Sequence, residues 1–109
     1  MYKPGDLLLI PFPYSDLSAS KKRPILVFSE PDRFGDFLTL PITSQSYHEC
    51  ALELQLQDIE HIALPKKSWV RFDKLYTLNE DIVVKKFGNL SPHFFSVVKL
   101  AVCRHLGCC

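Results

Sequence analysis

For most of the chain, apolar residues fall into short runs separated by turn formers, and near the end the period changes. Leu7 to Phe12 follows a Pro4-Gly5 turn and predicts a strand, ended at Pro11-Phe12-Pro13 because proline cannot donate to a ladder. Tyr14 to Lys22 has a period of neither two nor 3.6 and predicts a long loop. Ile25-Leu26-Val27-Phe28 is uninterrupted, which predicts a central strand buried on both faces. Phe37 to Ile42 gives a third strand after Gly35-Asp36. From Ala51 to Leu56, Leu52, Leu54 and Leu56 alternate with Glu53, Gln55 and Gln57, the pattern of a half-exposed strand. Ser68 to Tyr76 is rich in aromatic and branched residues. Ile82-Val83-Val84 with Phe87 predicts a further short strand before a Gly88-Asn89 turn.

The last segment reads differently. Ser91 fits an N-cap, Pro92 the first helical position, and Phe94, Val97, Val98, Ala101 and Val102 recur at helical spacing. Lys99, Arg104 and His105 lie toward the helix end and Gly107 fits the residue just past it. Six or so strands and one helix argue for a mainly β fold, a small, strongly curved antiparallel sheet or barrel with the helix packed at one end. An open edge on so small a sheet invites pairing with a second copy.

Composition narrows the class. At 109 residues the chain is expected to form one domain spanning 1–109. Its 47% hydrophobic and 23% charged residues are globular values. Thirteen Lys and Arg against twelve Asp and Glu leave a net charge of +1, so any polyanion site must be local. Leu7 to Tyr14, the longest apolar stretch, is cut by two prolines and is far short of the roughly 20 residues of a membrane helix. The amino terminus turns at once and carries Asp6, unlike a secretory signal, so a cytoplasmic location and no membrane partner are expected. Cys50, Cys103, Cys108 and Cys109 complete no zinc spacing, and neither a metal nor another cofactor is expected.

Two short segments carry candidate chemistry. Lys21-Lys22-Arg23-Pro24 places three cations at the mouth of the apolar strand. Arginine's planar fork can hold two phosphate oxygens and stabilise a five-coordinate phosphorus, although such tripeptides are more often solvated edges. Thr43-Ser44-Gln45-Ser46 follows the third strand with groups that donate to phosphate or a 2′-hydroxyl, although Thr and Ser commonly close strands on their own backbone. His48, His61, His93 and His105 have no partner readable from sequence. Trp69, Phe72 and Tyr76 are candidates for base stacking, with core packing the commoner role.

Taken in order, Gly5 to Pro13, Arg23-Pro24-Ile25-Leu26-Val27, and Leu40-Pro41-Ile42-Thr43-Ser44-Gln45 resemble the MazF/PemK-like toxins of bacterial toxin–antitoxin modules. The resemblance extends to Leu64 to Val70, Asp73 to Leu78, and Phe87 to Leu90 leading into the helix. It implies an SH3-like barrel of the CcdB, PemK and MazF kind with a C-terminal helix, a homodimer, a cognate antitoxin, and metal-independent cleavage of single-stranded RNA at short sequences to 2′,3′-cyclic phosphate ends. It also implies Arg23 as the catalytic arginine and Thr43 as the motif threonine, with Lys21, Lys22, Ser18, Ser44 and Gln45 at the RNA groove.

Some members of that family carry a glutamate five residues before the arginine, where this chain has Ser18; the nearest loop acid, Asp16, is then the candidate base. Arg23 would neutralise the phosphorane and donate to the leaving 5′-oxygen, the second role being the weaker for a group with a pKa above about 12. A non-catalytic reading on the same scaffold, an RNA binder or a DNA gyrase inhibitor, stands beside this one. The gyrase poisons of this resemblance class end Trp-Gly-Ile, whereas this chain ends Leu106-Gly107-Cys108-Cys109.

Overall fold

A computed structural model describes residues 2–11, 22–46, 48–60, 64 and 66–108. Among the described residues, eight strands and one helix follow in the order β1 (Asp6–Pro11), β2 (Lys22–Val27), β3 (Asp36–Thr43), β4 (Ala51–Leu54), β5 (Ile59–Glu60), β6 (Ser68–Arg71), β7 (Tyr76–Asn79), β8 (Lys85–Leu90) and α1 (Pro92–Leu106). All pairings are antiparallel, in the order β4-β6-β3-β2-β1-β8-β5, with β7 added to the first half of β3. The path ends on β4 and β5, which are neighbours in the chain across a 3-10 turn at Leu56–Asp58, so the sheet curls into a nearly closed barrel. That is the mainly β barrel with one terminal helix that the sequence predicts.

The central strand is buried on both faces, as its unbroken apolar run requires. Leu7, Leu26 and Leu40 are cross-strand neighbours on one face and join Phe94, Val98 and Val102 of α1 in the main core. Leu8, Ile10, Ile25, Val27 and Phe37 form a second cluster on the other face. The helix presents Phe94, Val98 and Val102 at spacings of four, so one stripe faces the barrel while Val97 stays 38% exposed. Ser91 Oγ accepts from the Phe94 N–H at 3.2 Å, and Gly107 ends the helix at φ 79°, a left-handed conformation that suits glycine.

Several boundaries differ from the sequence pattern. β2 begins at Lys22, three residues early, because Arg23 and Pro24 pair with Ile10 and Leu9. The expected run from Ser68 to Tyr76 is two strands, β6 and β7, divided by a turn in which Arg71 donates twice to Asp73, at 3.1 and 2.9 Å. At that turn the chain moves from one stretch of β3 to another. Ile82-Val83-Val84 is not a strand: residues 80–82 form a 3-10 turn, and Gly88-Asn89, read as a turn, lies inside β8. The alternation from Ala51 stops at Leu54, and Leu56 stands 77% exposed in the 3-10 turn.

Candidate functional site

The site forms where β2 and β3 part. Their ladder runs from Val27↔Thr39 to Ile25↔Pro41, and continued two residues further it would set Arg23 opposite Thr43. Instead β3 turns to β6, pairing Ile42 with Val70 and Thr43 with Trp69. The parting opens a cleft of about 390 Å³ whose apolar wall is Leu9, Pro24, Ile42, Leu64 and Phe87. Its polar wall brings together Lys22, Arg23, Thr43, Ser44, Lys66, Ser68 and Lys85.

Four of those side chains are cations, and among the described residues no carboxylate lines the cleft. A chain of net charge +1 thus carries a local cluster of four cations. The apolar wall keeps the local dielectric below that of water, which strengthens attraction for an anion. Arg23 is half-buried with its Nε enclosed by protein, so the guanidinium is held by its surroundings, while Lys22 is exposed at the rim.

Thr43 is fixed by its own turn: Oγ1 accepts from the Gln45 N–H at 3.1 Å. The strand-closing habit of threonine is therefore present, and it leaves chemistry to spare. A hydroxyl that accepts one hydrogen bond still has its proton to donate. Gln45 is exposed and reaches Thr43 through its backbone; its side chain is not part of the cleft wall, whereas Ser44 is. Asp16, Ser18 and Lys21 lie outside the described residues, as does His61.

Phe87, Lys66 and Lys85 are among the wall residues that the sequence did not single out. Phe87 is brought in by a β-bulge: Leu7 pairs with Gly88 and Leu8 with Lys86, so Phe87 is the extra residue and is re-aimed toward the cleft. In each of two basic pairs one member turns to the cleft and the other to an acid. Lys85 lines the cleft while Lys86 binds Asp6 at 3.1 Å; Lys66 lines it while Lys67 binds Glu53 at 3.1 Å. Charge runs in the sequence mark such pairs; strand alternation in β8 sorts Lys85 from Lys86, whereas Lys66 and Lys67 lie just before β6.

The other candidates lie elsewhere. His48 is half-buried and outside the cleft wall; Phe72 meets the His105 ring edge-on at 5.9 Å; Tyr76 pairs with Thr39 in the middle of β3. Trp69 is half-buried beside Thr43 in the ladder. Among the described residues no three His, Cys, Asp or Glu side chains are gathered as metal ligands, and no helix is long and apolar enough to cross a membrane.

The sequence model of the PemK-like, MazF-like toxins of type II toxin–antitoxin systems matches residues 3–106. No curated protein is significantly similar in sequence. Among solved structures, an endoribonuclease in complex with its cognate antitoxin from a mycobacterial species aligns at 18% identity over 97% of this chain and 93% of that one, with a TM-score of 0.72. A MazE-MazF complex from Deinococcus radiodurans aligns at 19% identity over 97% and 95%, with a TM-score of 0.73. A MazF toxin of Mycobacterium tuberculosis aligns at 14% identity over 94% and 96%, with a TM-score of 0.70. At these identities the likeness is one of fold.

Proposed function

The chain belongs to the PemK-like, MazF-like toxins of type II toxin–antitoxin systems, and from that premise we propose that it is a metal-independent, sequence-specific endoribonuclease of single-stranded RNA. The observation that carries the reading is the cleft that unites Arg23, Thr43 and three lysines on an apolar wall. A phosphodiester flanked by bases suits such a wall: the lysines bind phosphates along the backbone, and the apolar side accepts sugars and base edges.

The reaction is a transesterification. The 2′-oxygen forms a bond to the adjacent phosphorus as the P–O5′ bond breaks, giving a 2′,3′-cyclic phosphate and a 5′-hydroxyl. The 2′-hydroxyl proton passes to a base, for which Asp16 is the candidate, and the leaving oxygen takes up another. Arg23 holds the equatorial oxygens by its fork of donors and neutralises charge that develops at the phosphorane. Its permanent protonation makes it a charge stabiliser first. Thr43, anchored by the Gln45 N–H, aims its remaining proton at a phosphate oxygen. Lys22, Lys66, Lys85 and Ser44 position the flanking backbone, joined by Lys21, Ser18 and Gln45.

The protein works on this account as one domain over 1–109, in the cytoplasm and as a homodimer. It is neutralised by a cognate antitoxin whose acidic segment covers the cationic cleft. Purified protein incubated with a long mixed-sequence RNA, with and without EDTA, tests the proposal. Cyclic-phosphate ends at a short recurring sequence, unchanged by EDTA, are expected. Binding without new ends would assign the chain to the non-catalytic reading, which the serine at position 18 favours. An acidic peptide that fails to compete with RNA would overturn the antitoxin assignment.

A further inference from the structure

The cation cleft continues into a second depression of about 250 Å³, and the two share Leu64, Lys66 and Ser68 as a common wall. The second lies at the seam between β4 and β5 and has a different chemistry. Glu53 and Lys67 line it as an ion pair, 3.1 Å between Oε2 and Nζ, with Gln55 and Leu56 exposed beside them. Strand register ties it to the first site: Thr43 pairs with Trp69, and Trp69 with Glu53. Directly paired residues share a sheet face, so hydroxyl, indole and carboxylate form one row across β3, β6 and β4, about 10 Å from end to end at the usual strand spacing.

The ion pair at the end of this row has the parts of a base reader rather than a backbone clamp. Trp69, midway along the row, lines neither depression, so the polar groups offered to a base are those of Glu53 and Lys67. A carboxylate only accepts, so it selects a base edge with N–H donors; an ammonium only donates, so it selects an acceptor next to them. The geometry points to a guanine-binding subsite, with Glu53 accepting from N1–H and the N2 amino group and Lys67 donating to O6. Adenine and cytosine each set a lone pair beside their one amino group on that edge and would repel the carboxylate. Uracil offers a single N–H between two carbonyls. Only guanine presents two adjacent donors flanked by an acceptor.

With Lys67 exposed and Glu53 half-buried, this surface pair adds little to folding, so its groups are available to a ligand. The subsite rests on the endoribonuclease reading for its place beside the cleaved linkage, whereas recognition of the base is a binding property of its own.

Two measurements test it. When wild-type protein cuts a randomised RNA and the new ends are sequenced, guanine is expected at one fixed position within a nucleotide or two of the cut. Glu53→Gln is expected to reduce that preference by about tenfold, the worth of one bidentate pairing. Cutting with no guanine preference, or a preference that Glu53→Gln leaves intact, would overturn the subsite and leave the endoribonuclease reading standing. The second measurement needs no cutting: fluorescence anisotropy of Arg23→Ala protein with fluorescent pentanucleotides carrying one guanine, hypoxanthine or adenine at the same place. Guanine is expected to bind about tenfold tighter than adenine, with hypoxanthine, which lacks the N2 amino group, between them, and a further Glu53→Gln change closes the gap. Equal affinities would overturn the subsite even for a protein that cuts nothing.

Discussion

Replacing Thr43 by valine keeps the side-chain shape and removes one oxygen, so two interactions are lost together. The first is the bond accepted from the Gln45 N–H, 3.1 Å long and exposed, whose donor then turns to water. Its loss is worth about 0.5 kcal/mol, the lower end of the usual range, which lowers the Tm of a chain this size by about 2–4 °C. The second is the donor that the proposed mechanism aims at a phosphate oxygen in the transition state. Removing one such donor from a preorganised site costs about 100- to 1000-fold in turnover, or about 2.7–4 kcal/mol. The expected signature is a small stability change beside a large loss of activity, with Thr43→Ser restoring most of both. Single-turnover cleavage of an oligonucleotide containing the mapped cut sequence, with thermal melts of the same samples, reads both quantities. Turnover of Thr43→Val within threefold of wild type would refute the donor role. Activity lost in step with unfolding, and regained on cooling, would assign Thr43 to the turn alone.

Other perturbations separate the parts of the account. Lys66→Ala and Lys85→Ala are expected to weaken RNA binding across all sequences and to reduce the slope of log K against log salt by about 0.7 each, one phosphate contact on a single strand; an unchanged salt slope would remove that lysine from the groove. Ser91→Ala deletes the helix cap and is expected to lower stability by about 1 kcal/mol in urea denaturation with cutting retained, and an unchanged urea midpoint would contradict the cap. Hydrogen bonds from the Arg71 guanidinium hold the Asp73 carboxyl below its ordinary value of 3.8, burial opposing. The pair therefore stabilises the fold above that value and its contribution fades as pH falls through the lower folded value. Asp73→Asn should lose at most about 1 kcal/mol at pH 6 and draw level with wild type in strong acid; a gap independent of pH would sink this assignment.

What the sequence revealed and what it concealed follow from the range of the interactions. The helix was legible at both ends because its cap, first-turn proline and αL glycine are local chemistry at Ser91, Pro92 and Gly107. The unbroken Ile25-Leu26-Val27 run announced a strand covered on both faces. The division of Ser68 to Tyr76 was hidden because it depends on which stretch of β3 each half pairs with, a non-local choice. Arg23 and Thr43 each stood out through their neighbours in sequence. Lys66, Lys85 and Phe87 did not, because their place in the cleft is set by a bulge and by partners far along the chain. Ile82-Val83-Val84 misled because β-branched residues also suit an extended link: the Val84 N–H bonds to the Leu9 carbonyl at 2.8 Å where β8 begins.

The central claim is that a guanidinium held at the parting of β2 and β3 stabilises the phosphorane. The most direct test is the cleavage rate of Arg23→Ala and Arg23→Lys on one mapped RNA, with circular dichroism and gel filtration matched to wild type. The account predicts that alanine abolishes cutting while the protein stays folded, and that lysine, which keeps the charge but loses the fork, recovers only a small part of the rate. Cutting by folded Arg23→Ala at the wild-type rate would contradict it.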